Sequence, residues 1–513
     1  MHFNILPISR KLALLLALLA TTGLVQPIHA QQADTLEPPS LESVEAAWRA
    51  GDFAAARAGL LAHAEAGVPV AQYRLGYMMG TASGGPFDRE GAKKWLEAAI
   101  AQNHNAGFVL LARLYLTGSP EIPDYERAAQ LLALAVEDGD AEAHFYLGQL
   151  YRIGRGVEGD KVRGYTLVRA AGDAGYAPAQ FALAEMYSRG EGVEPDDAQA
   201  SRWLLQAAEN GSSKAQMSLY FNYSRGTGFP KDEAKALGYL ILAAEGGHTL
   251  AERILGASYL MGEGVEMDTE KGLDLLRRAA AKGEAGAQTN LGYAYASGTG
   301  VAQDDAKAAE WYKLAADQGL TRAALVLGDL YQAGRGVEEN LDEAIKYYQI
   351  ATMGRSQLAE ERLGQLILSG AIPPDKEPER GIIWVATLAE TGEAAARDML
   401  QARAATGEPY ADFRLGLIYR DGVGTDPDLP RGAKHMMIAA KGGIVAAQEQ
   451  MAEMAASGNG VEQDFVEAHK WANIAAANGS DAAVERRGVL ADLMTAEQVA
   501  EAQARAKAFL NGQ

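Results

Sequence analysis

Residues 287–319 read AQTNLGYAYASGTGVAQDDAKAAEWYKLAADQG, and this stretch decides the fold. Ala287, Leu291 and Tyr295 stand at i, i+4 and i+8, on one face of a helix. Gly292, beside Leu291, leaves room for a neighbouring backbone. Gly298 and Gly300 end that helix, because glycine takes positive φ at little cost. Asp304 then opens a second helix as its N-cap, its short side chain accepting a bond from an orphan backbone N–H. Gly319 closes this helix in the left-handed region. The unit is a pair of short helices joined by a glycine turn.

The unit recurs. Leu75, Leu111, Leu147, Leu183, Leu219, Leu255, Leu291, Leu327 and Leu363 follow one another at intervals of 36 residues. Four residues after them come Tyr115, Tyr151, Tyr187, Tyr223, Tyr259, Tyr295 and Tyr331, and Tyr419 later in the chain. The turn glycines recur as Gly154, Gly190, Gly262, Gly298, Gly334 and Gly458. The caps recur as Asp88, Asp124, Asp160, Asp196, Asp232, Asp268, Asp304, Asn340, Asp428 and Asp464. One slot of the second helix holds Trp95, Trp203, Tyr239, Trp311, Tyr347 and Trp471, with His435 in the same place. Regular recurrence of aromatics assigns them to packing between helices. Gln199, Glu343 and Glu467, three residues after their caps, complete capping boxes. The recurrent acids are thus helix ends, not a calcium loop, which needs several ligands in one segment. A period of this length marks a solenoid, in which each unit hides its apolar face on its neighbours.

At this point the chain resembles the Sel1-like repeat, a relative of the tetratricopeptide repeat, over residues 71–482. The resemblance implies an all-α, right-handed superhelical solenoid of stacked antiparallel helix pairs. It also implies a part in assembling protein complexes, often in signalling or at the bacterial envelope. Some secreted members of that family hold each pair with a disulfide; this chain contains no cysteine.

The organisation expected is then as follows. Residues 1–30 form a secretory signal, with Arg10 and Lys11 ahead of the apolar run Leu12–Leu19 and a cleavage site after Ala30. Residues 31–42 are a flexible leader and 43–70 an N-terminal capping helix pair. Residues 71–370 form a first array. An irregular junction follows at 371–410, where AIPPDKEPER (371–380) carries three prolines and Leu363 and Leu415 stand 52 residues apart. One helix of a pair is missing or merged there, and the segment is the expected place for a bend, with a drifted repeat as the alternative. A second array covers 411–482. Residues 483–513 form a C-terminal cap, whose last helix (496–510) opens with a Thr495–Gln498 capping box.

Composition narrows the function. The formal charge is −20; removing residues 1–30, which hold two basic and no acidic side chains, leaves −22. Such a surface disfavours nucleic acid and anionic lipid and favours a basic or envelope-associated partner. Gly154-Arg-Gly156-Val-Glu-Gly159 matches a dinucleotide-binding glycine pattern, but no strand precedes it and it reads as a turn. The histidines form no H-E-x-x-H and no i, i+4 pair, so no metal is indicated. Nucleophile-elbow, phosphate-loop and Ser-x-x-Lys motifs are absent. No cofactor is expected and no catalytic residue stands out. Tyr220 and Phe221 are the candidate partner contacts, since Tyr220 replaces the usual glycine; local repacking is the alternative. The reading is a non-catalytic, periplasmic or exported adaptor or regulator for a protein partner. A polysaccharide-export scaffold and a glycan-acting enzyme stand as alternatives.

Overall fold

The computed structural model of the chain describes residues 39–117, 123–373 and 378–512. The regular elements among them are 27 α-helices of 9 to 15 residues. The expected signal lies outside the described residues, as does most of the leader. The leader ends earlier than expected, because Ser40 caps a helix at Leu41–Arg49, accepting from the Ser43 N–H at 3.2 Å.

The repeat chemistry accounts for the helix ends. Asp160, Asp196, Asp232, Asp268, Asp304 and Asp464 each accept the N–H three residues on, at 2.9–3.0 Å. Their own N–H groups reach back to a carbonyl nine residues earlier. Asp160, Asp196, Asp268, Asp304 and Asn340 bond Tyr151, Tyr187, Tyr259, Tyr295 and Tyr331 at 2.9–3.0 Å. That bond fixes the length of the turn. Gly154, Gly190, Gly262, Gly298 and Gly334 close the first helices at φ between 61° and 74°, a region a β-carbon makes costly. Glu343 and Glu467 do not complete capping boxes. Their carboxylates turn instead to Lys346, and to Lys470 and the Trp471 indole, which offer charged or stronger donors than the cap backbone.

The core follows the same register. Leu147, Leu183, Leu255, Leu291 and Leu327 are at most 5% exposed. The glycine after the leucine works less uniformly than expected. At Gly148 and Gly256 a β-carbon would stand 2.9 and 3.0 Å from the carbonyls of Gly164 and Gly272, so two backbones do meet there. At Gly292 the neighbour is the ring of Tyr312, 2.9 Å from the same point, rather than backbone.

The chain divides into two compact units at Asn210 and Gly211. In the first, five helix pairs stack in sequence order. The pair Leu41–Arg49 and Phe53–Glu65 caps it, with Val44, Leu60 and Ala64 packed on Leu75 and Trp95.

The second unit begins at Gly211 and contains the expected junction. The helices Gln357–Leu368 and Pro378–Glu390 make an ordinary pair, followed by a single helix, Ala394–Ala405. The extra sequence is therefore half a unit, as the spacing implies. It is not a break in the core. Ile372, Ile382, Trp384, Val385 and Leu400 join one apolar cluster with Leu327 and Leu415. The C-terminal cap is a helix pair, Asp481–Ala491 and Ala496–Leu510. The Thr495–Gln498 capping box is made in both directions. Phe509 meets the buried Trp471 edge-on, with centroids 5.4 Å apart.

A buried polar ladder binds neighbouring helices in each unit. Gln180 Nε2 donates to the Gly172 carbonyl (3.0 Å), and Asn210 Nδ2, 30 residues on, donates to Gln180 Oε1 (2.8 Å). Gln72 with Ala64 and Gln102 does the same, as do Gln288 with Ala280 and Gln318, and Gln448 with Ala440 and Asn478. Each buried amide is bonded on both its ends, which is the condition for burying it without loss. Two repeats use charge in the same place. Glu252 is fully buried, with Arg278 Nη2 at 2.6 Å and Lys282 Nζ at 2.8 Å. Asp412, 2% exposed, lies 2.7 Å from His435 Nδ1. His435 thus does more than fill the tryptophan slot: it partners a buried acid while stacking on Tyr419 at 5.8 Å.

Candidate partner-binding surface

On the first helix of every unit, the residue two places after the core leucine sits on the opposite side of the helix. These positions hold Tyr77, Arg113, Gln149, Glu185, Phe221, Ala257, Tyr293, Asp329, Gln365, Leu417 and Glu453. None is buried, whereas the leucine two residues before is buried in each case, or Met451 in its place. The array thus holds its interior constant and varies its face. Tyr77 and Tyr293 are 39% and 50% exposed, the freest aromatics of this row. Sequence reasoning passed over both. The signal was available, since a residue two places from a buried one points away from the core on a helix.

Tyr220 and Phe221 are held more tightly than free anchors would be. Both are half-buried against a cluster that includes Met217, Leu240 and Leu255. Their rings lie 5.0 Å apart and the Arg225 guanidinium sits 4.9 Å from Phe221. Each combines a packing contact with an outer edge.

The repeated tyrosines form a second row. Tyr187, Tyr223 and Tyr419 are buried, and Tyr151, Tyr259, Tyr295 and Tyr331 half-buried. The Arg163, Lys271 and Lys307 cations stand 4.3, 4.6 and 5.6 Å from the rings of Tyr151, Tyr259 and Tyr295. These cations occupy the third helical position after the cap. Tyr331 instead stacks on Tyr347 at 5.7 Å, and the Tyr187 hydroxyl lies 2.8 Å from that of Tyr165. Burial pushes the Tyr187 phenol up, and pushes that of Tyr312 up to about 12. The caps shift oppositely. Backbone N–H donation from Lys235 and Lys307 holds the Asp232 and Asp304 carboxyls below the usual range. These rows support the turns and present few groups able to exchange a proton near neutrality.

Among the described residues no three His, Asp or Glu side chains converge as metal ligands, and no helix is long and apolar enough to cross a membrane.

The Sel1 repeat family matches ten stretches of the chain: 69–104, 109–140, 141–176, 177–212, 214–248, 249–284, 285–320, 321–354, 409–444 and 445–480. Three solved structures are similar. A protective antigen present in uropathogenic Escherichia coli strains and displaying an SLR fold is 29% identical, with a TM-score of 0.49 over 88% of this chain and 94% of its own. A Sel1 repeat protein from Oxalobacter formigenes is 27% identical, with a TM-score of 0.33 over 69% of this chain and 88% of its own. A putative Sel1 repeat protein from Klebsiella pneumoniae is 25% identical, with a TM-score of 0.25 over 37% and 92%. No curated protein matches.

Proposed function

The chain belongs to the Sel1 repeat family, and on that premise we propose that it is a non-catalytic adaptor or regulator at the bacterial cell envelope. The observation that carries this reading is the contrast within each first helix. The leucine register is uniform and buried, while the outward row changes from aromatic to cation, amide, acid and aliphatic along the array. Within each unit such a row can contact an extended partner at several points, with an aromatic anchor at Tyr77 in the first and at Tyr293 in the second. The net charge of −20 supports a basic partner, drawn in by long-range attraction. The Arg10–Ala30 pattern supports export to the periplasm or beyond, with the mature chain starting at Gln31.

A photoreactive side chain at Tyr293 tests the surface. It should crosslink a discrete partner in intact cells, while the same group at Met353, 79% exposed but off the row, should not. Equal capture from both positions, or none from either, rejects the reading. The N-terminal residue of the protein recovered from the periplasm or medium tests the export step.

A further inference from the structure

In five repeats a cation three residues after the cap covers the tyrosine of the preceding helix. Arg163, Lys235, Lys271, Lys307 and Arg431 lie 4.1–5.6 Å from the rings of Tyr151, Tyr223, Tyr259, Tyr295 and Tyr419. The last matched repeat, 445–480, changes both members at once. Ala455 stands at the tyrosine position and Glu467 at the cation position. The turn itself is unchanged, because the Asp464 N–H still reaches the Ala455 carbonyl at 2.9 Å. What differs is side-chain volume and the sign of one charge.

A groove of about 460 Å³ opens at this place, within the range that holds a small ligand or one large side chain. Its apolar wall is formed by the half-buried Met437, Val461 and Phe465, with Met451 and Ala455 buried behind them at 0% and 2% exposure. Its rim carries the carboxylates of Glu462, Asp464 and Glu467, and Lys470 and Arg505 reach Glu467 from beside it. Asp464 is committed to its cap bonds. Glu467 Oε1 accepts from Lys470 and Trp471, but Oε2 has only Arg505 at 3.7 Å. Glu462 is exposed.

We propose that this groove docks a peptide segment of a partner protein, which inserts one aromatic side chain between Met437 and Phe465 and sets a lysine or arginine against Glu462 and Glu467. The partner supplies from outside the ring and cation that the other repeats carry within. A second copy of this chain is the poorer occupant, since a chain of charge −20 is repelled by an acidic rim. The proposal deepens the adaptor reading and rests on it.

The test uses the purified protein and capped, fluorescein-labelled peptides read by anisotropy. The sequence Gly-Lys-Tyr-Lys-Gly should bind saturably. Versions with Glu for both lysines, or Ser for the tyrosine, should bind at least about ten-fold more weakly. Ala455→Tyr restores the residue used elsewhere, so it should fold with an unchanged or higher melting temperature and lose the peptide. Should that variant fail to fold, Glu462→Gln with Glu467→Gln carries the same test and should weaken binding about ten-fold. Binding that is absent in the native protein, or indifferent to these substitutions, overturns the proposal. So does a native dimer that Ala455→Tyr dissociates, which would assign the groove to a second copy. No peptide binding with Tyr293 capture intact rejects the groove and leaves the adaptor standing. Peptide binding without Tyr293 capture rejects the outward row and leaves the groove.

Discussion

Glu252 is the sharpest probe of what holds these helices together. Its carboxylate is wholly buried in the place where Gln72, Gln180, Gln288 and Gln448 stand in other repeats. Arg278 and Lys282 neutralise it and also take over the carbonyls of Ala244 and Gly247, at 3.1 and 2.9 Å. Two opposite perturbations should therefore differ greatly. Glu252→Gln restores the amide ladder, since Gln can donate to Ala244 as Gln288 does to Ala280. The two cations, 44% and 43% exposed, can turn to water. The net change should stay within about 1 kcal/mol. Arg278→Ala with Lys282→Ala leaves a buried charge without a partner, which costs about 3–5 kcal/mol. The partial exposure of the cations places the value near the lower end. A factor of ten in an equilibrium corresponds to about 1.4 kcal/mol, so amide exchange across 249–284 should accelerate roughly 100-fold in the double variant and less than about ten-fold in Glu252→Gln. Equal acceleration in both variants, or none in the double variant, would refute the ladder as the organising contact.

Leu291→Asp should unfold its own and adjacent repeats, because it buries an unpaired charge at a site with no exposure; circular dichroism on heating should show an early transition, and an unchanged curve would contradict the assigned face. Tyr220→Ala with Phe221→Ala should lower the melting temperature modestly, by loss of contacts to Met217 and Leu240, and weaken crosslinked capture; native capture at reduced stability assigns the pair to packing alone. The folded pKa of Asp232 and Asp304 lies below the ordinary 3.8, so their caps stabilise above that pH and the contribution is lost as pH falls through it. Asp232→Asn with Asp304→Asn keeps the caps without the titration, and should flatten the acid limb of the stability curve. His469 is 1% exposed and burial holds its pKa below 6.5. Its neutral form is thus the folded one, and stability is present above pH 6.5 and lost as pH falls below it. His469→Gln should remove that slope in pH-dependent melting.

The backbone plan was open to reading because its signals are local and repeat. A leucine every 36 residues, a glycine at a left-handed helix end and an aspartate at an N-cap each act within one turn, so Leu291, Gly298 and Asp304 announce their roles without knowledge of the rest. The ladder was also periodic, at Gln72, Gln180, Gln288 and Gln448, yet polarity alone suggests a surface. Its burial depends on a donor 30 residues away, and that adjacency exists only once helices stack. Glu252 shows the same limit more strongly, since its cations follow at 26 and 30 residues and look like ordinary helix charges. The prolines of 371–380 signal a break, while the burial of Ile372, Ile382 and Trp384 in one cluster with Leu327 and Leu415 shows only once the chain is folded.

Binding information resists periodic reading for a physical reason. Any position that repeats faithfully is under a packing constraint common to all units, and is therefore buried or capped. A position free to contact a partner has no such constraint and varies, as the row from Tyr77 to Glu453 does. The informative signal is a departure at a position that otherwise repeats. Tyr220 is one such departure, and there the new ring packs with its neighbour Phe221 against Met217 and Leu240. Ala455 is another, and there a groove opens beside a side chain that the core already covers. Glu467 reverses the charge beside it in the same repeat, as Glu343 does in a repeat that keeps its tyrosine, Tyr331. A random drift that removed the tyrosine would leave the cation as a harmless surface lysine or arginine. The paired change leaves an apolar wall under an acidic rim, and that combination is stable only while the groove faces water or a cation-bearing partner.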